Sequence, residues 1–349
     1  GYGGAERVVL ELHRMFPSAP IYTSQYDPKS LDWFKDADVR TTWLQKLPKG
    51  LRKFLPVLRA LAFSRLNLID YDLVISSSGA EAKFVKVKKP TIHISYCHSP
   101  THYYWVRYDE YMKNPGFGAF NWLGRMGLKL LVGPMKRWDY KAARRPDYFI
   151  ANSSFTKDNI KKYYGREATV IYPPVEIERF KSDEKVTRQG FVTAGRQTPY
   201  MRKDIAVAAC SQLNLPLTVI GDGPEHAKLV KMAGSTVKFL TNVSDQELPN
   251  HFRGAKAFIL PGKEDFGIVA VEAMAAGTPV IAYANGGVLD TVISGETGEF
   301  FKQQSAESLA EVLKNFKPEQ YYSGKITAQA ERFSQEKFHK NIKEFISNL

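Results

Sequence analysis

The chain predicts an α/β protein built from two doubly wound, parallel-sheet domains, and three observations predict it. In the second half, short apolar runs alternate with helical stretches: Phe191 to Ala194, Leu217 to Ile220, Val237 to Leu240, Ala257 to Leu260 and Val280 to Tyr283. Strand and helix alternating at that spacing build a parallel sheet. In the first half, Asp72 to Ser78 (DLVISSS) and Thr91 to Cys97 (TIHISYC) are continuous apolar runs, as expected of strands covered on both faces. Finally, 349 residues exceed the usual growth of one hydrophobic core. Pro173-Pro174 is the natural linker, which sets domains at 1–172 and 173–334 and leaves a last helix from about Gln335 to Leu349.

Composition narrows the class. At 44% hydrophobic and 24% charged residues the chain reads as an ordinary globular protein rather than a disordered one. No apolar run approaches the roughly 18 residues that span a bilayer, and no charged-then-apolar leader opens the chain, so an integral membrane protein is not expected. Cys97 and Cys210 lack metal-ligand or disulfide-framework spacing and read as buried thiols of a reducing, cytoplasmic compartment. The net charge of +13 is uneven: residues 1–172 hold 28 Lys+Arg against 15 Asp+Glu, and residues 173–349 hold 21 against 21. A basic first half suits an anionic lipid surface or a phosphate-linked acceptor. A merely soluble basic domain and nucleic-acid binding are the alternatives, the latter without any recognisable motif.

In chain order, GYGGAERVVLELHRMF places Val8, Val9, Leu12 and Phe16 at helical spacing behind a glycine turn. Such a turn normally follows a strand, so a first strand is expected upstream of Gly1. Residues 20–24 and 39–42 read as short strands. Leu44 to Leu68 is basic and apolar: Leu51, Phe54, Leu55, Leu58, Leu61 and Ala62 share a helical face, with Arg52, Lys53, Arg59 and Arg65 off it, and Pro56 interrupts the run or opens the helix. It reads either as a helix packed on its own domain or as a membrane-surface element. His98-Ser99-Pro100 stands at a strand end, where ligands collect, whereas His93 lies inside the strand and reads as a core residue. The cluster Tyr103, Tyr104, Trp105, Tyr108 and Tyr111 suits sugar stacking, a lipid groove or plain packing. Residues 115–145 look helical and basic, and Asn152-Ser153-Ser154 can cap the following helix.

The densest signal is residues 261–287, PGKEDFGIVAVEAMAAGTPVIAYANGG. The order is strand end, loop, helix, strand, with Glu264 in the loop and Glu272 on the helix. Gly267 allows backbone to approach a bound group, and the helix opening beside it offers N–H groups and a positive dipole end suited to phosphate.

That stretch resembles the retaining glycosyltransferases of family 4, marked by two glutamates separated by seven residues in an EDFGI-type loop. GGAERVV, YCHSPTHYYW, FIANS, Gly195-Arg196 and GDGPE extend the resemblance along most of the chain, closest to its mannosyltransferase-like members. It implies the GT-B fold, two Rossmann-like domains facing across a cleft, with the last helix packed back on the first. It implies a hexosyltransferase that takes sugar from a nucleotide-sugar, GDP-mannose favoured and UDP-sugars next, to a lipid-linked or polysaccharide acceptor at the inner membrane face. No further cofactor is implied, and without a strand-end pair of aspartates no catalytic metal is expected.

By the same resemblance, His98 lies beside the transferred sugar and Glu264 orders its hydroxyls. Gly3 and Gly4 approach the donor, as do Gly221 and Gly223 in their turn and the backbone at Val243. Glu272 accepts hydrogen bonds from the ribose, and the N–H groups of Phe266, Gly267 and Ile268 join Arg196 at the diphosphate. Two departures stand out. Met201 occupies the place of the expected diphosphate lysine, so Arg202 or Lys203 must reach in or catalysis weakens; Val106 replaces an aspartate that often follows the tryptophan. A catalytically impaired sugar-nucleotide or lipid binder is therefore the alternative, and phosphorolysis or epimerisation on the same scaffold lacks support from the loop.

Overall fold

The computed structural model describes residues 3–47, 56–113, 121–182, 184 and 186–349. The chain separates into two compact units, Gly1–Pro173 with His339–Leu349, and Pro174–Phe338.

In unit 1, α1 (Gly4–Met15) is followed by β1 (Ile21–Thr23) and β2 (Val39–Thr41), which pair with each other in a separate parallel ribbon. Then come α2 (Pro56–Ser64), β3 (Leu73–Ser78), β4 (Ile92–Cys97), α3 (Tyr108–Lys113), α4 (Asn121–Ala142), β5 (Tyr148–Ala151), α5 (Ser154–Tyr164) and β6 (Thr169–Val170). The main sheet runs β3-β4-β5-β6, all parallel. Ser153 caps α5 by accepting from the Thr156 N–H at 3.0 Å, and Gly165 ends it in the left-handed region. Ile94, Tyr96 and Ile150 are fully buried, as strands covered on both faces require.

Beneath that sheet lies a buried ion pair. Lys83 and Asp139 meet at 2.6 Å, and Asp139 also accepts from Thr101, Trp105 and Tyr164 at 2.8 to 2.9 Å. Every strong acceptor site on the carboxylate is used, the condition under which a buried charge is tolerable. The indole of Trp105 and the Tyr103 hydroxyl, which binds Glu81, are therefore packing groups, the plainest of the three readings of the aromatic cluster.

The stretch 44–68 shows its inward side. Residues 48–55, with Leu51, Arg52, Lys53, Phe54 and Leu55, lie outside the described residues; Pro56 opens α2. Ala62 packs on Leu44 with Leu58 against them, Ala60 packs on Phe84 and Ala142, and Arg59 reaches Glu81 at 3.5 Å. In its described part this helix is a core element, which corrects the membrane-surface reading there: its small residues face the domain and Arg59 has an internal carboxylate.

Unit 2 contains β7 (Phe191–Ala194), α6 (Lys203–Gln212), β8 (Leu217–Ile220), α7 (His226–Met232), β9 (Val237–Leu240), α8 (Leu248–Arg253), β10 (Ala257–Leu260), α9 (Ile268–Ala275), β11 (Val280–Tyr283), α10 (Val288–Thr291), β12 (Gly298–Phe301), α11 (Ala306–Asn315) and α12 (Ser323–Ala330). The six strands are parallel in the order β12-β11-β10-β7-β8-β9. Strand order reverses between β7 and β10, so their C-terminal ends bound the crevice where such sheets take ligands. On one face Phe191, Leu217, Val219 and Ile259 pack with Ile205, Ala209 and Leu309 of the helices. On the other, Phe252 stacks on Phe180 and meets Phe258 edge-on.

The closing helix α13 (Gln335–Ser347) passes from unit 2 to unit 1 at His339. His339 meets the buried Glu11 of α1 at 2.7 Å, and Phe345 packs edge-on against Tyr148.

Candidate active site

The loop after β10 is held by backbone packed on backbone. Gly287 donates its N–H to the Glu264 carbonyl at 2.9 Å, and Glu264 bridges Gly286. A Cβ at Gly286 would stand 2.3 Å from the Glu264 oxygen, and one at Gly287 would stand 2.2 Å from that of Asp265. Two glycines are thus required because the 264–266 backbone occupies the space. Phe266 is buried edge-on to Phe333, 5.5 Å away, so its side chain anchors the loop from below. Gly267 then turns through φ 89° into α9 and serves as its N-cap with no side-chain cap hydrogen bond. Such an opening has N–H groups and a positive dipole end to offer an anion.

Glu272 lies one turn into α9 and is 3% exposed. Its carboxylate faces the Arg179 guanidinium at 3.6 Å, and Arg179 also reaches Asp245 at 3.4 Å while lying over the Phe180 ring. Asp245 belongs to the loop after β9 that carries Val243, where Ser244 and Glu247 exchange backbone-to-side-chain hydrogen bonds just ahead of α8. Glu272 is therefore fixed beside the 242–245 loop by a cation 93 positions earlier in the chain.

The turn after β7 carries Met201, Arg202 and Lys203. Met201 lies under the β10 loop, its carbonyl 2.9 Å from where a Gly262 Cβ would stand. Arg202 adopts the left-handed conformation with φ 48° and turns its guanidinium onto Asp204 at 3.0 Å. Lys203 opens α6, is 4% exposed and donates to Thr193 Oγ1 at 3.2 Å. Burial pushes its ammonium down to about 7, opposed by the field of the nearby Glu264. Of the two cations expected to reach in, Lys203 is buried on Thr193 within the field of Glu264, and Arg202 is held by its neighbour. Arg196 is exposed, with Nη2 3.2 Å from the Tyr200 hydroxyl.

Gly221 and Gly223 are also required by the packing of the chain itself. A Cβ at Gly221 would lie 2.4 Å from the Gly195 oxygen, and one at Gly223 would lie 2.5 Å from that of Gln197. The two turns pack on each other, with the buried Gln197 holding Gly221 and His226.

Residues 2–179 match the family model Glycosyltransferase Family 4, and residues 174–345 match that of Glycosyl transferases group 1. The chain belongs to glycosyltransferase family 4. The family-4 chain is 30% identical over 224 residues to D-inositol 3-phosphate glycosyltransferase of Streptomyces avermitilis, covering 54% of this chain and 48% of that protein. It is 29% identical over 192 residues to the GDP-mannose-dependent alpha-(1-6)-phosphatidylinositol monomannoside mannosyltransferase of Mycobacterium tuberculosis, covering 46% and 50%. The chain spans about half the length of the curated relatives it matches. Among solved structures, HepE of Anabaena in complex with UDP superposes with a TM-score of 0.71 at 19% identity over 99% of this chain and 97% of that one. Sucrose-phosphate synthase of Thermosynechococcus elongatus gives 0.73 at 18% identity over 100% and 94%. The fold is GT-B.

The remaining family-4 positions lie in unit 1. His98 follows β4 with Nε2 2.9 Å from Ser77 Oγ, and its carbonyl accepts from Asn152 at 3.0 Å. Gly3 is the N-cap of α1 and Gly4 its first residue. His93 is buried beside Ser76 at 2.9 Å, and burial pushes its imidazole down to about 4. Sequence reasoning missed Arg179, Asp245 and Thr193. None lies in a motif, and each meets its partner only through the packing of distant elements.

Proposed function

We propose that this chain is a retaining hexosyltransferase that moves a sugar, mannose favoured, from a nucleotide-sugar to a lipid-linked or polysaccharide acceptor at the cytoplasmic face of a membrane. The observation that carries this reading is the Glu264–Gly267 loop, clamped by Gly286 and Gly287 at the reversal of strand order and opening into a helix without a side-chain cap. In this reading the first N–H groups of α9 and Arg196 take the diphosphate, so the protein stabilises the leaving group electrostatically rather than by protonating it. Glu272, held by Arg179, accepts from the ribose hydroxyls, and Val243 lies at the base. Glu264 orders the sugar, and Lys203, within its field, supplies the cation that Met201 lacks. His98, Gly3 and Gly4 are the contribution of unit 1.

Two relatives support the donor and acceptor. The mycobacterial one is described as GDP-mannose-dependent and acts on a phosphatidylinositol mannoside. HepE is described in complex with UDP-glucose, which keeps UDP-sugars as the next choice. The test is a thermal-shift series with GDP, UDP and dTDP, followed by a transfer assay with the corresponding hexose donors. The expected result is the largest shift with GDP and turnover of GDP-mannose that EDTA does not reduce. Absence of a shift with every nucleotide would sink the proposal.

A donor binder without turnover is the second reading, favoured by Met201. Met201→Lys separates the two: a large gain in rate means that the natural chain is impaired, and an unchanged rate means that Lys203 already acts.

A further inference from the structure

We infer that α4 docks this protein on an anionic lipid bilayer, a step that rests on the membrane-face reading above and locates the contact. Among the described residues, the helix buries side chains at its C-terminal end. Trp138 packs edge-on to Phe84 at 4.7 Å, Asp139 closes on Lys83, and Ala142 is fully buried. Toward its start it displays apolar groups instead of hiding them. Trp122, Leu123, Met126, Leu130 and Leu131 are 59, 42, 48, 70 and 59% exposed. At 100° per residue, Trp122, Met126, Leu130 and Leu123 fall within about a third of the helix circumference, with Leu131 extending the edge.

Charge selects the occupant. The helix carries Arg125, Lys129, Lys136, Arg137 and Lys141, and its sole acid, Asp139, is buried and neutralised by Lys83. Arg125 is tied to the carbonyls of Met112 and Lys113, and Lys136 lies over the rings of Trp105 and Tyr108. Lys129, Arg137 and Lys141 are exposed. A second copy of this chain would bring cations against cations, because α4 offers no outward carboxylate to pair with them. A bilayer bearing anionic headgroups takes both features at once: apolar side chains enter the boundary of the acyl region while lysine and arginine meet phosphates. Trp122, at the first turn, is the residue type that favours the headgroup level. Trp122, Met126 and Leu130 share one side of the helix, and the buried residues of α4 lie toward its opposite end.

The test uses the full chain and sedimentation with vesicles of phosphatidylcholine, with and without phosphatidylglycerol. Binding to the anionic vesicles and none to the neutral ones is expected, and Met126→Glu with Leu130→Glu should lower it roughly tenfold, two apolar contacts being replaced by repulsive charges. The thermal shift by nucleotide should be the same in the variant, which shows that it folds and that the donor site is intact. If the double variant binds vesicles as well as the natural chain does, the assignment to α4 is wrong while the membrane reading stands, and loss of binding in Arg52→Glu with Lys53→Glu would place the contact there instead. If the natural chain binds no vesicle yet shifts with nucleotide, both membrane statements fall and the donor reading survives. A dimer in the ultracentrifuge that the double variant dissociates, without vesicle binding, would make this face a self-interface and overturn the proposal.

Discussion

Arg179 and Glu272 face each other at 3.6 Å across unit 2, one on a short 3-10 helix after the domain boundary and the other on α9. The carboxylate is almost wholly buried, and the guanidinium shares itself with Asp245. Removing the cation strips a buried carboxylate of the guanidinium that faces it, whereas neutralising Glu272 leaves Arg179 with Asp245. Arg179→Ala should therefore destabilise by about 3 kcal/mol and Glu272→Gln by about half as much. Denaturant midpoints at constant m would measure both. Equal costs for the two would show that the pair is not organised this way.

Lys203 provides a pH signature. Its ammonium is pushed from 10.5 to about 7 by burial, so at pH 8 the free protein holds it mostly neutral. A diphosphate arriving nearby favours the charged form, and nucleotide binding at pH 8 should take up a proton. Calorimetry in buffers of different ionisation enthalpy reads that proton directly. Lys203→Met should abolish it; uptake that persists in the variant assigns the proton to another group.

The same lysine links to stability. Between pH 7 and 10.5 the unfolded chain holds a proton that the folded chain lacks, so stability rises with pH through that window and the full penalty is present below pH 7. Lys203→Met should be more stable than the natural chain at pH 7, by a few kcal/mol at about 1.4 kcal/mol per unit. The gap should close as pH approaches 10.5. A gap independent of pH would contradict the assignment.

His93 acts at acid pH. Its imidazole is lowered from 6.5 to about 4, so below pH 6.5 the unfolded chain binds a proton that the folded chain refuses until pH 4. Its contribution is fully present above pH 6.5 and is lost as pH falls through 4, amounting to roughly 3 kcal/mol. His93→Gln should flatten the stability profile between those limits. An unchanged slope would mean that another group carries the acid transition.

Gly286 tests the clamp on the Glu264 loop. Gly286→Ala combines φ 93° with a Cβ 2.3 Å from a carbonyl oxygen, and it should cost more than about 2 kcal/mol and weaken nucleotide binding with it. Gly324→Ala is the control: it lies in α12 with open space around the Cβ, and should gain about 0.5 to 1 kcal/mol. Similar effects at the two sites would dismiss the clamp.

Much of unit 2 was legible from local pattern. Five of its strands, β7 to β11, lie where continuous apolar runs put them, because burial on both faces demands such runs. β12 escaped notice: Gly298–Phe301 is a four-residue edge strand paired on one side only, which imposes little on composition. Glu264 in a loop, Gly267 at a turn and Glu272 on a helix were equally readable, since each follows from residue type and helical spacing.

By itself, then, the chain determined which segments are strands and helices, the family-4 loop and the uneven charge, since all three are written in short-range order. Only tertiary structure decided between neighbours such as Arg202 and Lys203. One residue of offset from a left-handed turn into α6 sends the first to Asp204 and the second inward to Thr193. It alone also brought Arg179 to Glu272, turned α2 inward and left the stripe of α4 outside. Which side of a helix is covered depends on what packs against it, and those partners come from far along the chain.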